Sequence, residues 1–248
     1  MERGHSKQYY VFSPFLRIFH WLMVLSIVTL FTTGLYIGDP FFIGSQGLEP
    51  TYAVTGRLSM EIMRFIHFAA AYIFTVSFIL RAYGFWRNKG DRLFPHFWKK
   101  QYYEDLLDVF LHYTFIKSSH KPCLRNPLAR ASYVALYFMV FIEIITGFAM
   151  YTMIKPNSWG AKIYGPVNQL LGDEYTVHII HHYVAWLIIL FAIVHVYMAA
   201  RADFMDREGE ISSMFSGVKF LPHEPVDIGD ITDGKDSSVR DRKHSITG

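Results

Sequence analysis

Four stretches of this chain, at 15–38, 60–86, 130–154 and 178–201, are long and almost wholly apolar. Each covers the ~20 residues that a helix needs to cross a hydrocarbon core of ~30 Å. Inside lipid the backbone has no water to bond, so a single apolar run must satisfy its own N–H and C=O groups as a helix. A soluble alternative would need polar faces, yet 52% of the 248 residues are hydrophobic and only 18% are charged. Too little polar surface remains for four such helices in water. The expected fold is all-α, an integral membrane four-helix bundle over 15–201, flanked by segments 1–14 and 202–248.

Charge sets the expected orientation. The connection 87–129 carries Arg87, Lys89, Arg92, Lys99, Lys100, Lys117, Lys121 and Arg125, and the tail is also rich in basic residues. The connection 39–58 carries only Arg57, and 155–177 only Lys155 and Lys162. The positive-inside rule therefore puts both termini and the basic loop in the cytoplasm. The two short connections then face the periplasm of a Gram-negative cell, and the chain is a multi-pass protein of the bacterial inner membrane. Its basic segments are expected to meet membrane lipids, not nucleic acid. The first run is too long for a signal-peptide core, and bulky Leu35, Tyr36 and Ile37 stand where cleavage needs small residues. The piece 103–116 is amphipathic and is expected at the interface. The tail is expected to be partly disordered, from about residue 224 onward.

Ionisable side chains are costly within a span, and by default they mark function. The fourth run holds His181 and His195, fourteen residues apart. That spacing is ~1400° of helix, close to whole turns, and ~21 Å along the axis. Both imidazoles therefore leave one face at two depths. The first run carries His20, with Gly34 fourteen residues later; the second carries His67, with Arg81 fourteen residues later. With the spans alternating in direction, His67 falls level with His181, and His20 with His195. His182 and His178 compete with His181 but lie ~100° and ~60° off its face. Of His112 and His120 in the basic loop, and His5, His96, His223 and His244 in polar segments, most are read as solvated. Glu143 in the third run is either a proton relay or a carboxyl bonded to a neighbouring helix.

One cysteine, Cys123, leaves no C-x-x-C-H for covalent haem and no thiolate cluster for iron–sulfur or structural zinc. Two imidazoles at each of two levels suit bis-histidine haem b, two groups in all, in an apolar helix core. Zinc would find half its tetrahedron empty. Gly34 removes a side chain beside the outer pair, where a porphyrin needs room. Arg81 stands level with the inner pair, where a guanidinium can meet haem propionates. Tyr197 and Arg201, just beyond His195, are candidates to bond a quinone; interface anchoring is their alternative role.

The strings Arg17-Ile18-Phe19-His20-Trp21 and Arg64-Phe65-Ile66-His67-Phe68 carry a resemblance, together with His178-Ile179-Ile180-His181-His182 through Trp186 and on to His195-Val196-Tyr197. In these the chain resembles the b-type cytochrome subunit of membrane-bound nickel–iron hydrogenases, whose wider relatives include the cytochrome subunits of formate dehydrogenase and thiosulfate reductase. The resemblance covers nearly the whole length, including the segment 201–217. It implies axial ligation by His20, His67, His181 and His195. It also implies a periplasmic partner, a nickel–iron large subunit with an iron–sulfur small subunit that delivers electrons to the cytochrome, and a quinone as acceptor. The chain itself would hold no hydrogen-activating site. Two other readings stay open from sequence: a dihaem cytochrome b of another periplasmic dehydrogenase or reductase, and a non-redox membrane anchor.

Overall fold

A computed structural model of the chain describes residues 7–38, 59–87, 94–118, 123, 126–154, 156–205 and 209–221. Among these residues the order is β1 (Lys7–Tyr10), α1 (Pro14–Gly38), α2 (Met60–Arg87), α3 (Lys100–Tyr113), α4 (Pro127–Ile154), α5 (Trp159–Leu171), α6 (Glu174–Phe204), α7 (Glu210–Ser216) and β2 (Val218–Leu221). The four expected spans are the helices α1, α2, α4 and α6, each long and apolar enough to cross a bilayer. Large apolar side chains on them face outward, among them Leu25, Phe65, Phe141 and Ile193, each more than half exposed. That is the pattern of helices solvated by lipid, where apolar exposure carries no penalty.

Threonines inside the spans dispose of their hydroxyls locally. Thr29, Thr75 and Thr146 each donate to the carbonyl four residues earlier, at 2.8–2.9 Å. The back-bond satisfies the O–H without water.

The chain divides into two compact units. One is Phe15–Gly84; the other joins Met1–Pro14 to Phe85–Gly248. In the first, α1 and α2 run antiparallel, with the Phe15 ring against Gly84 at one end and Gly34 against His67 at the other. A Cβ on Gly84 would overlap the Phe15 ring, so that close approach requires glycine.

In the second unit α4 and α6 are also antiparallel. The connection 155–177, read from sequence as a loop, contains α5. Ser158 caps it, accepting from the Ala161 N–H, and the Tyr164 ring stacks on Phe148 of α4 at 5.3 Å. Pro166 in its middle removes one backbone donor, and the helix continues through it because it packs along α4. The amphipathic piece of the basic loop is α3. Its buried side, Tyr102, Val109 and His112, is turned to protein: the Tyr102 hydroxyl donates to the Pro127 carbonyl at 2.9 Å. His112 is thus not solvated but only 4% exposed, its Nδ1 3.2 Å from the Lys117 carbonyl. Beyond α6 come α7 and β2, and β2 pairs antiparallel with β1, Tyr10 opposite Val218. His5, His120, His223 and His244, and the segment beyond 221, lie outside the described residues.

Candidate functional site

In the first unit the centre of interest is His67. Its Nδ1 lies 2.9 Å from Thr33 Oγ1. The edge of the ring rests on Gly34: a Cβ there would stand 3.4 Å from His67 Cε1. The space over this glycine is taken by the imidazole itself. Farther along the same pair of helices are His20, with its ring edge-on to Trp21 at 5.3 Å, and Arg81, 6% exposed despite its charge.

The second unit repeats the arrangement. Nδ1 of His181 on α6 lies 3.1 Å from Thr146 Oγ1 on α4, and a Cβ on Gly147 would stand 3.2 Å from His181 Cε1. One difference is Glu143, whose Oε1 is 3.2 Å from His181 Nε2. The other carboxyl oxygen, Oε2, is buried and makes no hydrogen bond to a described residue. On either side of it in the sequence of α6, His178 and His182 stack on each other at 5.6 Å. That leaves His181 as the member of the three that Thr146 and Gly147 hold.

Fourteen residues on, His195 is sandwiched by aromatic rings. Phe191 lies parallel to it at 5.7 Å and Tyr133 approaches edge-on at 6.1 Å. A small cavity opens beside it, with Asn126, Arg130, Tyr133 and Glu210 among its walls. The buried Arg130 guanidinium donates to the Phe94 carbonyl at 2.6 Å and lies 3.3 Å from His96 Nδ1. Arg201, on the same helix as His195, donates to the carbonyls of Tyr113 and His112. Tyr197 stays 55% exposed.

Sequence reasoning found the histidines but not the threonines beside them. The signal was present as a repeat. Arg17 and His20 precede Thr33-Gly34 with the same spacings by which Arg130 and Tyr133 precede Thr146-Gly147. On the partner helices, His67 to Arg81 matches His181 to His195. The histidines matched by depth, His67 with His181 and His20 with His195, belong to different units.

The donor chemistry can be tested against known cofactor types. Among the described residues no three side chains of His, Cys, Asp or Glu gather as a metal-ion set. Imidazoles in apolar surroundings suit ligation of haem iron, and His67 and His181, each held through Nδ1 and backed by glycine, have Nε2 left to do so. At His181 such a bond requires the Glu143 carboxyl to turn aside. On these grounds the residues fit haem b.

A model of the prokaryotic cytochrome b561 family matches residues 11–217. The chain belongs to that family: it is a multi-pass membrane b-type cytochrome. Among its relatives is a probable Ni/Fe-hydrogenase B-type cytochrome subunit of Cupriavidus necator, 37% identical, the alignment covering 86% of this chain and 87% of that one. The probable Ni/Fe-hydrogenase B-type cytochrome subunit of Rhizobium leguminosarum bv. viciae is 34% identical, with 86% and 89% covered. The probable Ni/Fe-hydrogenase 1 B-type cytochrome subunit of Escherichia coli K12 is 33% identical, with 85% and 90% covered.

Proposed function

We propose that this chain is the dihaem cytochrome that anchors a nickel–iron hydrogenase to the bacterial inner membrane and links its iron–sulfur small subunit to the quinone pool. The carrying observation is the recurrence of one constellation, Thr-Gly against a histidine, in both units, at His67 and at His181. Each of these histidines has a second polar side chain fourteen residues farther along its helix. Haem b supplies one-electron redox chemistry wherever it is held by two imidazoles.

The chain's own residues divide the work. His67 and His181 would hold one haem at an outer level, and His20 and His195 a second at an inner one. Gly34 and Gly147 let the outer imidazoles come close to the neighbouring helix. Arg81, a buried cation on the face of His67, is suited to a propionate at the inner level. The quinone is taken beside His195, with Tyr197 and Arg201 as candidates to bond its carbonyl oxygens. Lys- and Arg-rich segments keep the inner level at the cytoplasmic face.

Haem content and response to hydrogen test this together. The complex purified with its hydrogenase should carry two haems b per chain, and both should be reduced by hydrogen in the absence of quinone. His67→Ala and His181→Ala should each lose one haem and block reduction of the other by hydrogen. His20→Ala and His195→Ala should keep one hydrogen-reducible haem and stop reduction of a soluble ubiquinone analogue. Equal haem content in all four variants would overturn the ligand assignment.

A further inference from the structure

The two threonines do more than fill a helix interface. Thr33 Oγ1 donates to the Thr29 carbonyl at 2.7 Å, with the Leu30 carbonyl at 3.2 Å. Thr146 Oγ1 donates to the Ile142 carbonyl at 2.8 Å, with the Glu143 carbonyl at 3.2 Å. A hydroxyl has one proton and two lone pairs. With the proton spent on the preceding turn, only a lone pair remains for the imidazole, so the imidazole nitrogen facing it must carry the hydrogen. Both threonines are almost fully buried, at 7% and 2% exposure, so no solvent competes for the bond.

We propose that Thr33 and Thr146 are positioning residues that lock His67 and His181 in the Nδ1–H tautomer, so that each presents an unprotonated Nε2 and a fixed ring plane to haem iron, at His181 once the Glu143 carboxyl has turned aside. The inference rests on the haem ligation proposed above. The helix back-bond selects the proton's place on the hydroxyl, the hydroxyl selects the tautomer, and the tautomer selects the ligating nitrogen. The glycine after each threonine completes the device. A Cβ at 34 or 147 would press on Cε1 and tilt the ring away from the hydroxyl. The same three-residue device occurs once in each compact unit, which two unrelated packing contacts would not produce.

The bond also sets electron density on the iron. An Nδ1–H that donates to an oxygen makes the imidazole a stronger donor and favours the ferric state. Outer-shell partners of metal-bound histidine are typically worth ~10–100-fold in affinity. Thr33→Val keeps shape and removes the acceptor. It should shift the ferric–ferrous balance of one haem toward ferrous by ~10-fold, an upward change of ~59 mV for a one-electron couple. Thr146→Val should move the same haem, because His67 and His181 serve the same level. Thr33→Ser and Thr146→Ser, which keep the hydroxyl, should restore the original potential and low-spin electron paramagnetic resonance signal.

The measurement is a redox titration of the purified complex, followed optically and by electron paramagnetic resonance, with His67→Ala alongside. If His67→Ala loses a haem while both valine variants keep the parent potentials and spectra, the tautomer lock is wrong and the ligand assignment stands. If His67→Ala keeps both haems, the ligand assignment itself is wrong. If the two valine variants shift different haems, the sharing of one level by His67 and His181 is wrong. Should Thr33→Val fail to accumulate, Thr33→Ala against Thr33→Ser gives the same comparison of hydroxyl present and absent.

Discussion

The guanidinium carbon of Arg201 lies 4.6 Å from the centre of the Phe115 ring and 5.0 Å from that of Tyr113. The same group donates to the carbonyls of Tyr113 and His112. Those carbonyls stand at the C-terminal end of α3, where the helical ladder runs out and the dipole attracts a cation; that of His112 also accepts from the Phe115 N–H at 3.1 Å. One buried side chain of α6 therefore holds the end of the amphipathic helix. Phe115 makes this possible with a backbone φ of 64°, a left-handed turn that a bulky residue adopts only under constraint.

Replacing Arg201 by Met should expose what that grip contributes. Two carbonyls lose a charged donor, a change on the order of 1–3 kcal/mol each where the group stays buried. The expected result is a lower Tm in detergent and a loosened α3. Because Tyr113 also lines the cavity at His195, KM for a quinone analogue should rise. Arg201→Lys, with a point charge for a planar fork, should recover only part of the Tm.

Filling the glycine positions should empty the outer level and spare the inner one. Gly147→Leu places a branched side chain where even a Cβ would be 3.2 Å from His181 Cε1. Haem content should fall from two toward one per chain, measured by pyridine haemochrome against protein. Gly34→Ala, with 3.4 Å to the His67 ring, should be milder and retain most of the haem.

The Lys219 side chain has no exposed surface and pairs with Glu210, whose side chain is 21% exposed. Removing one partner of such a pair strands a buried charge, costing ~3–5 kcal/mol, whereas removing both is often neutral. Glu210→Leu, which strands the buried Lys219 charge, should therefore detach β2 and α7, seen as new proteolytic cleavage. Lys219→Met combined with Glu210→Leu should restore resistance.

Burial pushes the Tyr102 phenol above its ordinary value of 10.0, against a lowering by Arg130. The neutral form is the one that donates to Pro127. Its contribution is thus fully present below pH 10.0 and is lost as pH rises through the raised value. Tyr102→Phe should cost ~1 kcal/mol at neutral pH. It should also remove the part of the alkaline loss of stability that the parent shows above that range, measured as Tm against pH.

The spans were legible because a bilayer imposes one simple rule on composition and length, and all four apolar runs became helices with ends within a few residues of expectation. The histidines at 20, 67, 181 and 195 were legible because an imidazole has little reason to sit in lipid. Thr33 and Thr146 were not, since an isolated threonine in an apolar helix ordinarily satisfies itself by back-bonding. Only the repeated Thr-Gly pair distinguishes them. The helix at 159–171 was hidden by Gly160, Gly165 and Pro166, residues whose local preference is overridden by packing on α4. The ordered role of His112 was hidden for a related reason: its backbone carbonyl is held by Arg201, far away in sequence.

The pairing of β1 with β2 has a topological consequence. Residues 7–10 and 218–221 can share a ladder only on the same side of the membrane, so the polypeptide between them must cross an even number of times. Four traverses obey this parity and three or five would not. Since the first strand leaves the ribosome before these four spans and its mate after them, the clasp can close only once the spans between the two strands have been made.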